Sequence, residues 1–359
     1  MTSLTSQTPS QAPAEAGTAA AGARPGRDPF FDNAKYLAIV LVAMGHAWEP
    51  LPGSGRVVEA LYTFVYTFHM PVFIVIAGYF SRSFDLRPER VWKLVTQLLV
   101  PYVIFEVAYT VFERLVERPS QPLTIVDPYW LLWFLPALFI WRLTTPIWQV
   151  IRRPVAVSVA IAAMASMMNG IGGDLQLQRV LQFLPFYVLG LRLRPHHFDL
   201  VRRPMARILS LPVCAVALLV AYWAVPRIST RWFYRRQSAE ELASPVWAGA
   251  AMTLLLFAAA VVLSACFLAW VPTGKLWMSA LGAGTIYGYL LHGFVIRTAT
   301  YEDFYDHAFL QTPLGRVAVT VAAAVMVTLL CTSPVRRVFR IIVEPRMNWA
   351  LKPAPKPAP

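Results

Sequence analysis

The stretch 31-FDNAKYLAIVLVAMGHAWEPL-51 decides the fold class: it is an apolar helix-length run with an aspartate and a lysine at one end and a histidine and a glutamate at the other. Asp32 and Lys35 are three residues apart and can pair on a helix, and the lysine stem can lie along apolar surface while its ammonium reaches a polar interface. His46 lies eleven residues beyond Lys35, about 16 Å along a helix axis, and because eleven residues is nearly three turns the two share one face. Glu49 follows His46 by three, so on a continuing helix its carboxylate can reach the imidazole. Pro50 works against helical geometry at Glu49.

The rest of the chain is of the same kind. Of 359 residues, 57% are hydrophobic and 14% charged, a composition that belongs in a bilayer rather than in water. Ten apolar runs are expected to be helices: 34–50, 58–80, 92–113, 129–149, 154–170, 177–193, 206–225, 246–270, 277–297 and 315–334. At about 1.5 Å per residue, most such runs can cross about 30 Å of hydrocarbon. The expected fold is therefore all-α, a polytopic membrane bundle of about ten transmembrane helices.

With the N-terminus inside, roughly two thirds of the 32 Lys and Arg residues fall in inside segments, which places both termini in the cytoplasm. The exception is 227-RISTRWFYRRQSAEELASP-245, an outside loop with four arginines. It reads as a solvated loop, with a folded outer cap as the alternative. The net charge of +13 is distributed among loops without a basic stripe interleaved with aromatics, so a nucleic-acid partner is not expected. The three cysteines lie in apolar runs, without metal-type spacing. Residues 1–29 read as a disordered tail, 30–345 as the transmembrane domain, and 346–359 as a Pro-rich basic tail.

An ionisable side chain at bilayer depth costs about 2.5 to 3.5 kcal/mol on insertion scales, so each needs a reason. His69 stands two residues before Pro71, and a proline frees a carbonyl one turn earlier. His69 is equally well a packed residue bonded to that carbonyl or a member of a site. His292 alone reads as structural. Three histidines on three apolar helices change the balance, because one shared cavity would satisfy all of them. None has the spacing of a metal site, and no metal is expected. The His196–His197 pair falls in a basic loop and is expected to be solvated. Arg82, Arg87, Arg90 and Lys93 gather after the second run, either as plain topology determinants or as ligands for an anionic, phosphate-bearing cofactor.

The ordered set DNAKYLAIVLVAMGH (32–46), FHMPVFIVIAGYF (68–80), LLVPY (98–102), YWLLWFLPALF (129–139), FLPFYVLG (183–190) and IYGYLLH (286–292) resembles the acyltransferase family 3 membrane proteins, near the fucose 4-O-acetylase-like branch. The resemblance runs from about Phe31 to Arg297, and the last helix fits the family's ten-helix plan. It implies a multi-pass plasma-membrane O-acyltransferase that moves an acetyl or short acyl group from cytoplasmic acetyl-CoA to a hydroxyl of a carbohydrate or cell-surface glycan. The family's first-helix signature, a basic residue followed after ten residues by histidine, is met by Lys35 and His46. Its second basic signature falls on Arg90 and Lys93, with Gln97 where relatives often carry arginine.

On this resemblance the donor's phosphates fall to Lys35, Arg82, Arg90 and Lys93. A sugar hydroxyl needs a base to become a nucleophile, and His46 is the candidate, with Glu49 as its orienter. His69, His292 and Tyr289 are the candidate donors to the oxyanion. An acyl-enzyme on His46 is the open alternative to direct transfer. A proton-coupled transporter or flippase for a glycan intermediate is the competing function, because intramembrane His and Glu residues also serve as relays.

Overall fold

The computed structural model describes residues 28–51, 55–171, 173–345 and 347. All regular structure among them is helical. In chain order the α-helices are α1 (Pro29–Trp48), α2 (Gly55–Phe80), α3 (Pro88–Leu94), α4 (Val100–Val116), α5 (Phe134–Leu143), α6 (Thr145–Val150), α7 (Pro154–Met167), α8 (Leu177–Arg192), α9 (Pro195–Val201), α10 (Pro204–Ala224), α11 (Arg231–Tyr234), α12 (Val246–Trp270), α13 (Thr285–Tyr301), α14 (Pro313–Leu330) and α15 (Ser333–Val343). A π-helical turn, Val95–Leu99, joins α3 to α4, and a 3-10 segment, Trp277–Gly284, leads into α13.

Among the described residues, six helical segments are long and apolar enough to cross a membrane: Gly55–Phe80, Pro88–Val116, Pro204–Ala224, Val246–Trp270, Trp277–Tyr301 and Pro313–Leu330. Helices occupy the other four expected positions but do not meet that description. The physical reasons differ. In α1, Asp32, Asn33, Lys35 and His46 lower the mean hydropathy. In α8, Gln178, Arg179 and Gln182 do the same. With 10 and 14 residues, α5 and α7 are about 15 and 21 Å long, short of the hydrocarbon thickness. The expected 129–149 run is divided, because residues 130–133 are turns and Thr144 interrupts the helix between α5 and α6.

The expected tails lie outside the described residues except at their inner edges. The first tail's boundary shifts, since Asp28 caps α1 by accepting the Phe30 N–H at 3.0 Å and Pro29 is the first helical residue. Proline there costs nothing, because the first N–H groups of a helix have no partner inside it.

The bundle packs its helices around α1. The outer helices α10, α12 and α14 expose Leu209, Val216, Leu219, Leu254, Leu255, Val317 and Val321. By contrast, α1 is enclosed by α2, α13, α14 and the 3-10 segment. It is pinned along its length: Asn33 Nδ2 donates to the Pro272 and Gly274 carbonyls at 2.9 and 3.0 Å, the Tyr36 and Thr328 hydroxyls lie 2.7 Å apart, and Trp48 Nε1 donates to Thr320 Oγ1 at 2.8 Å. Helices α2 and α8 cross where Gly78 faces Gly190. A Cβ on Gly78 would run into the Tyr187 carbonyl, and one on Gly190 into the Val75 carbonyl. This close approach draws α2 and α8 together.

Pro101 supplies no N–H to the Gln97 carbonyl one turn back, and the chain there widens into the π turn. The expected third helix consequently begins four residues earlier, at Pro88, and carries its irregular turn beside Lys93 and Gln97.

Candidate active site

Three adjoining cavities follow one another, the first two lined in part by α1. At its C-terminal end is a chamber of about 150 Å³ lined by His46, Glu49, Tyr66, His69, Trp130, Trp133, Arg179, Tyr234, Arg236 and Tyr289. Next is a cavity of about 330 Å³ that includes Lys35, Phe73, Leu138, Arg142 and Tyr289. The last, about 300 Å³, opens among Ser83, Arg90, Lys93, Gln97 and Arg142. Val42, Met70 and Tyr289 line both of the first two, and Phe80 and Arg142 both of the last two. The Lys35-to-His46 face thus borders two adjoining cavities that share wall residues.

In the chamber, His46 Nδ1 lies 2.9 Å from His292 Nε2, and His292 Nδ1 lies 2.9 Å from the Gly288 carbonyl. A carbonyl can only accept, so His292 carries its proton on Nδ1 and, when neutral, offers a lone pair at Nε2. His46 must then donate from Nδ1, which leaves its Nε2 as the lone-pair nitrogen. His292 is fully buried, and its ring meets that of His46 edge to edge, with planes 5° apart. The sequence does not place these two rings together, since they are 246 residues apart.

Glu49 does not hold His46. Its backbone stays helical despite Pro50, with its N–H donating to the Gly45 carbonyl at 3.2 Å, and its carboxylate interacts with Arg297, Arg179 and Trp130. The expected orienter is therefore replaced by His292, because Nδ1 of His46 is already engaged. His69 lines the chamber, and its Nδ1 donates to the Val65 carbonyl at 2.9 Å. That carbonyl is one turn before His69 and is not the one freed by Pro71. The Tyr289 hydroxyl donates to the Leu131 carbonyl. The three expected oxyanion donors thus have their protons committed elsewhere.

A cation also lines the chamber. Arg179 sits at the start of α8, donates from Nε to the Tyr234 carbonyl at 3.0 Å and from Nη1 to Gln176 at 2.8 Å, and lines the chamber. Arg236 joins it in the lining. Both sequence signals were present, an arginine in the first turn of an otherwise apolar helix and an arginine pair in the outside loop.

That loop is a folded cap. Helix α11 sits over the chamber, the Tyr62 and Tyr234 hydroxyls lie 2.7 Å apart, and Arg235 donates to the Gln182 carbonyl at 3.2 Å beneath the rings of Phe183 and Phe186. Burial pulls the Arg235 guanidinium down to about 9, still a cation at neutral pH. The solvated-loop expectation fails because aromatic and arginine side chains of this segment find partners on α2 and α8.

Trp130 forms the opposite wall. Its ring centroid is 4.6 Å from that of His46, and the Arg297 guanidinium lies 4.4 Å from the indole centroid on Trp130. Trp130 has φ +34°, a left-handed conformation that costs a non-glycine residue energy and persists only where its surroundings enforce it. They do so here: the Tyr129 N–H donates to Glu106 at 2.9 Å, the Tyr129 hydroxyl donates to Glu113, and Leu131 accepts from Tyr289.

Away from the chamber, Lys35 lines the middle cavity and pairs with Asp32 at 2.8 Å. Arg90 and Lys93 line the last cavity, with Arg90 also 3.3 Å from Asp85 and donating to the Ser83 carbonyl. Arg82 is not among them: it donates to the Tyr79 and Leu193 carbonyls at 2.8 and 3.0 Å and lies over the Tyr79 ring. Its place is taken by Arg142, which sits at the junction of two cavities and donates to Ser81 at 3.2 Å. Among the described residues no cluster of His, Cys, Asp and Glu could hold a metal ion.

Comparison with known proteins gives a family match and two partial relatives. The family described as an acyltransferase domain, Acyl_transf_3, matches residues 28–335. The nodulation protein NolL of Mesorhizobium japonicum is 30% identical over 155 residues, 37% of this chain and 42% of that protein. The nodulation protein NolL of Sinorhizobium fredii is 32% identical over 99 residues, 26% of this chain and 27% of that protein. The chain thus spans less than half the length of either relative. No solved structure matches it significantly.

Proposed function

The chain belongs to the Acyl_transf_3 family of acyltransferases, and from that premise we propose that it is a plasma-membrane O-acetyltransferase acting from acetyl-CoA onto a carbohydrate hydroxyl. In this reading the bundle crosses the membrane about ten times, with both termini in the cytoplasm and α1 among the crossing helices. The observation that carries it is the proton order Gly288 carbonyl, His292, His46, which leaves a basic nitrogen in a chamber whose adjoining cavities end in a cationic mouth.

Acetyl-CoA enters from the cytoplasmic end. Arg90, Lys93 and Arg142 face its phosphates, with Lys35 farther in, and the pantetheine arm lies along the apolar middle cavity. This path matches the donor's chemistry, anionic at one end and a slender apolar arm at the other. Arg82, expected in this set, is held by backbone carbonyls and serves the α2–α8 junction instead.

The acceptor hydroxyl attacks the thioester carbonyl while His46 Nε2 takes its proton, so an O–C bond forms as the C–S bond breaks. The departing thiolate receives the proton from His46. Negative charge on the carbonyl oxygen is met by Arg179, held in position by the Tyr234 carbonyl and Gln176 before the reaction begins. His292 acts by positioning: it holds the His46 tautomer and shares the positive charge that develops on the ring. Trp130 keeps the His46 ring in place from the other side.

The aromatic lining of Tyr66, Trp130, Trp133 and Tyr234 provides flat faces on which a sugar ring can lie. Mass spectrometry of surface glycans from a deletion strain and its parent tests the function. Loss of one acetyl increment from a glycan in the deletion strain is expected. Identical acetylation in both strains contradicts it.

A further inference from the structure

One large cavity lies off the path from mouth to chamber. It is a groove of about 610 Å³ between α2, α10 and α12, walled by apolar side chains that include Phe64, Val216, Ala217, Leu256 and Ala259. The neighbouring surface is equally apolar, with Val220 and Leu255 more than half exposed. Such a surface is unfavourable in water and compatible with hydrocarbon chains.

Three observations connect this groove to the site. Phe233 of the cap lines both the groove and the His46 chamber, so one aromatic side chain borders both. Thr63, only 4% exposed, lines the groove with a buried hydroxyl that has no hydrogen-bond partner. Past Phe233, Arg236 lines the chamber and also, with Arg231, a pocket of about 690 Å³ on the cap. Phe233 thus stands between an apolar groove with a lone hydroxyl and the imidazole chamber, and Arg236 links that chamber to a cap pocket lined by Arg231 and Glu241.

That arrangement suits an amphiphile with an apolar chain, an anionic linkage and a sugar. We propose that the acceptor is a lipid-linked saccharide, with its chain in the α2–α10–α12 groove, a phosphate-type linkage at Arg231 and Arg236, and its sugar hydroxyl at His46. This rests on the acetyl-transfer reading of the chamber. Rotation of the Phe233 ring opens the way between chain and sugar. A chain held in the bilayer confines the acceptor to the membrane plane, so the site meets it by lateral diffusion.

The test uses purified full-length protein in nanodiscs, radiolabelled acetyl-CoA, and two acceptor fractions from the envelope of a deletion strain: a chloroform–methanol lipid extract and the water-soluble glycans. Label is expected in the lipid extract at least tenfold above the aqueous fraction, on a species retained by an anion exchanger. Ala217→Trp and Ala259→Phe, which fill the groove, should each cut lipid labelling about tenfold, and Thr63→Val severalfold. Acetyl-CoA should still raise the melting temperature of these variants, which shows that they are folded and take the donor.

Label confined to water-soluble glycans would overturn the proposal. So would undiminished lipid labelling in the folded groove variants, and a labelled lipid that passes the anion exchanger would overturn the place given to Arg231 and Arg236. Absence of label from both fractions with the unaltered protein would remove the transferase reading itself, and this acceptor with it.

Discussion

His46 Nδ1 and His292 Nε2 lie 2.9 Å apart between nearly parallel rings, and the Gly288 carbonyl behind His292 settles which nitrogen of each ring carries a proton. The pair resembles in its logic any base held by a hydrogen-bonded neighbour: the second group fixes the first one's tautomer and takes up part of its charge. Here the neighbour is another imidazole rather than the carboxylate of Glu49.

His292→Ala should lower kcat about 100-fold, within the usual contribution of a positioned base, and leave KM for acetyl-CoA nearly unchanged. His292→Gln should recover part of the loss, because an amide oxygen can accept the His46 Nδ1 proton. A purely structural role for His292 would not move the acid limb of the pH–rate profile, whereas exchange of imidazole for amide should. Steady-state kinetics across pH in the two variants distinguishes these cases.

The Trp130 wall makes a separate claim. Trp130→Ala removes the ring that packs on His46 and should reduce kcat about tenfold or more, while Trp130→Phe keeps a flat face and most of the rate. Because the native φ of +34° stores roughly 1–3 kcal/mol in a non-glycine residue, Trp130→Gly should lose activity with a smaller fall in melting temperature than Trp130→Ala. Equal melting temperatures for the glycine and alanine variants would count against enforced strain.

At the mouth, Arg142→Met and Lys93→Met should each raise KM for acetyl-CoA about tenfold, the equivalent of about 1.4 kcal/mol, with kcat preserved. Arg82→Met should not raise it, because its guanidinium is tied to the Tyr79 and Leu193 carbonyls and lines none of the three adjoining cavities. Donor titrations of the three proteins provide the comparison. A KM increase in Arg82→Met to match Arg142→Met would return Arg82 to the donor site.

Gly78 and Gly190 are where α2 and α8 press backbone to backbone. Gly78→Ala drives a Cβ into the Tyr187 carbonyl, and overpacking of this kind costs about 1–3 kcal/mol or more. A lower melting temperature by thermal-shift size exclusion is expected. Gly274, with open space around its Cβ position, should accept alanine with little change.

Much of this architecture was legible in the sequence. Apolar runs announced a helical membrane protein, and the spacing of Lys35 and His46 announced a face that joins two depths. The site's remaining parts were hidden for physical reasons. His292 looks structural until a fold brings it across 246 residues to His46. Glu49 looks like a partner because spacing along one helix is visible and contacts between helices are not. Arg82, Arg90 and Arg142 look alike as loop-end cations, and only the carbonyls around Arg82 and the cavity beside Arg142 tell them apart. The cap stood only as the alternative to a solvated loop, because its aromatic residues and arginines are stabilised by α2 and α8, not by any periodicity of their own.

Single-turnover transfer from radiolabelled acetyl-CoA by purified protein, with donor binding measured in parallel, tests the central claim most directly when parent and His46→Ala are compared. His46→Ala should bind acetyl-CoA with the parent's affinity and transfer its acetyl group about 1,000-fold more slowly, within the range expected for loss of a general base. A folded His46→Ala protein that transfers at the parent's rate would contradict the account.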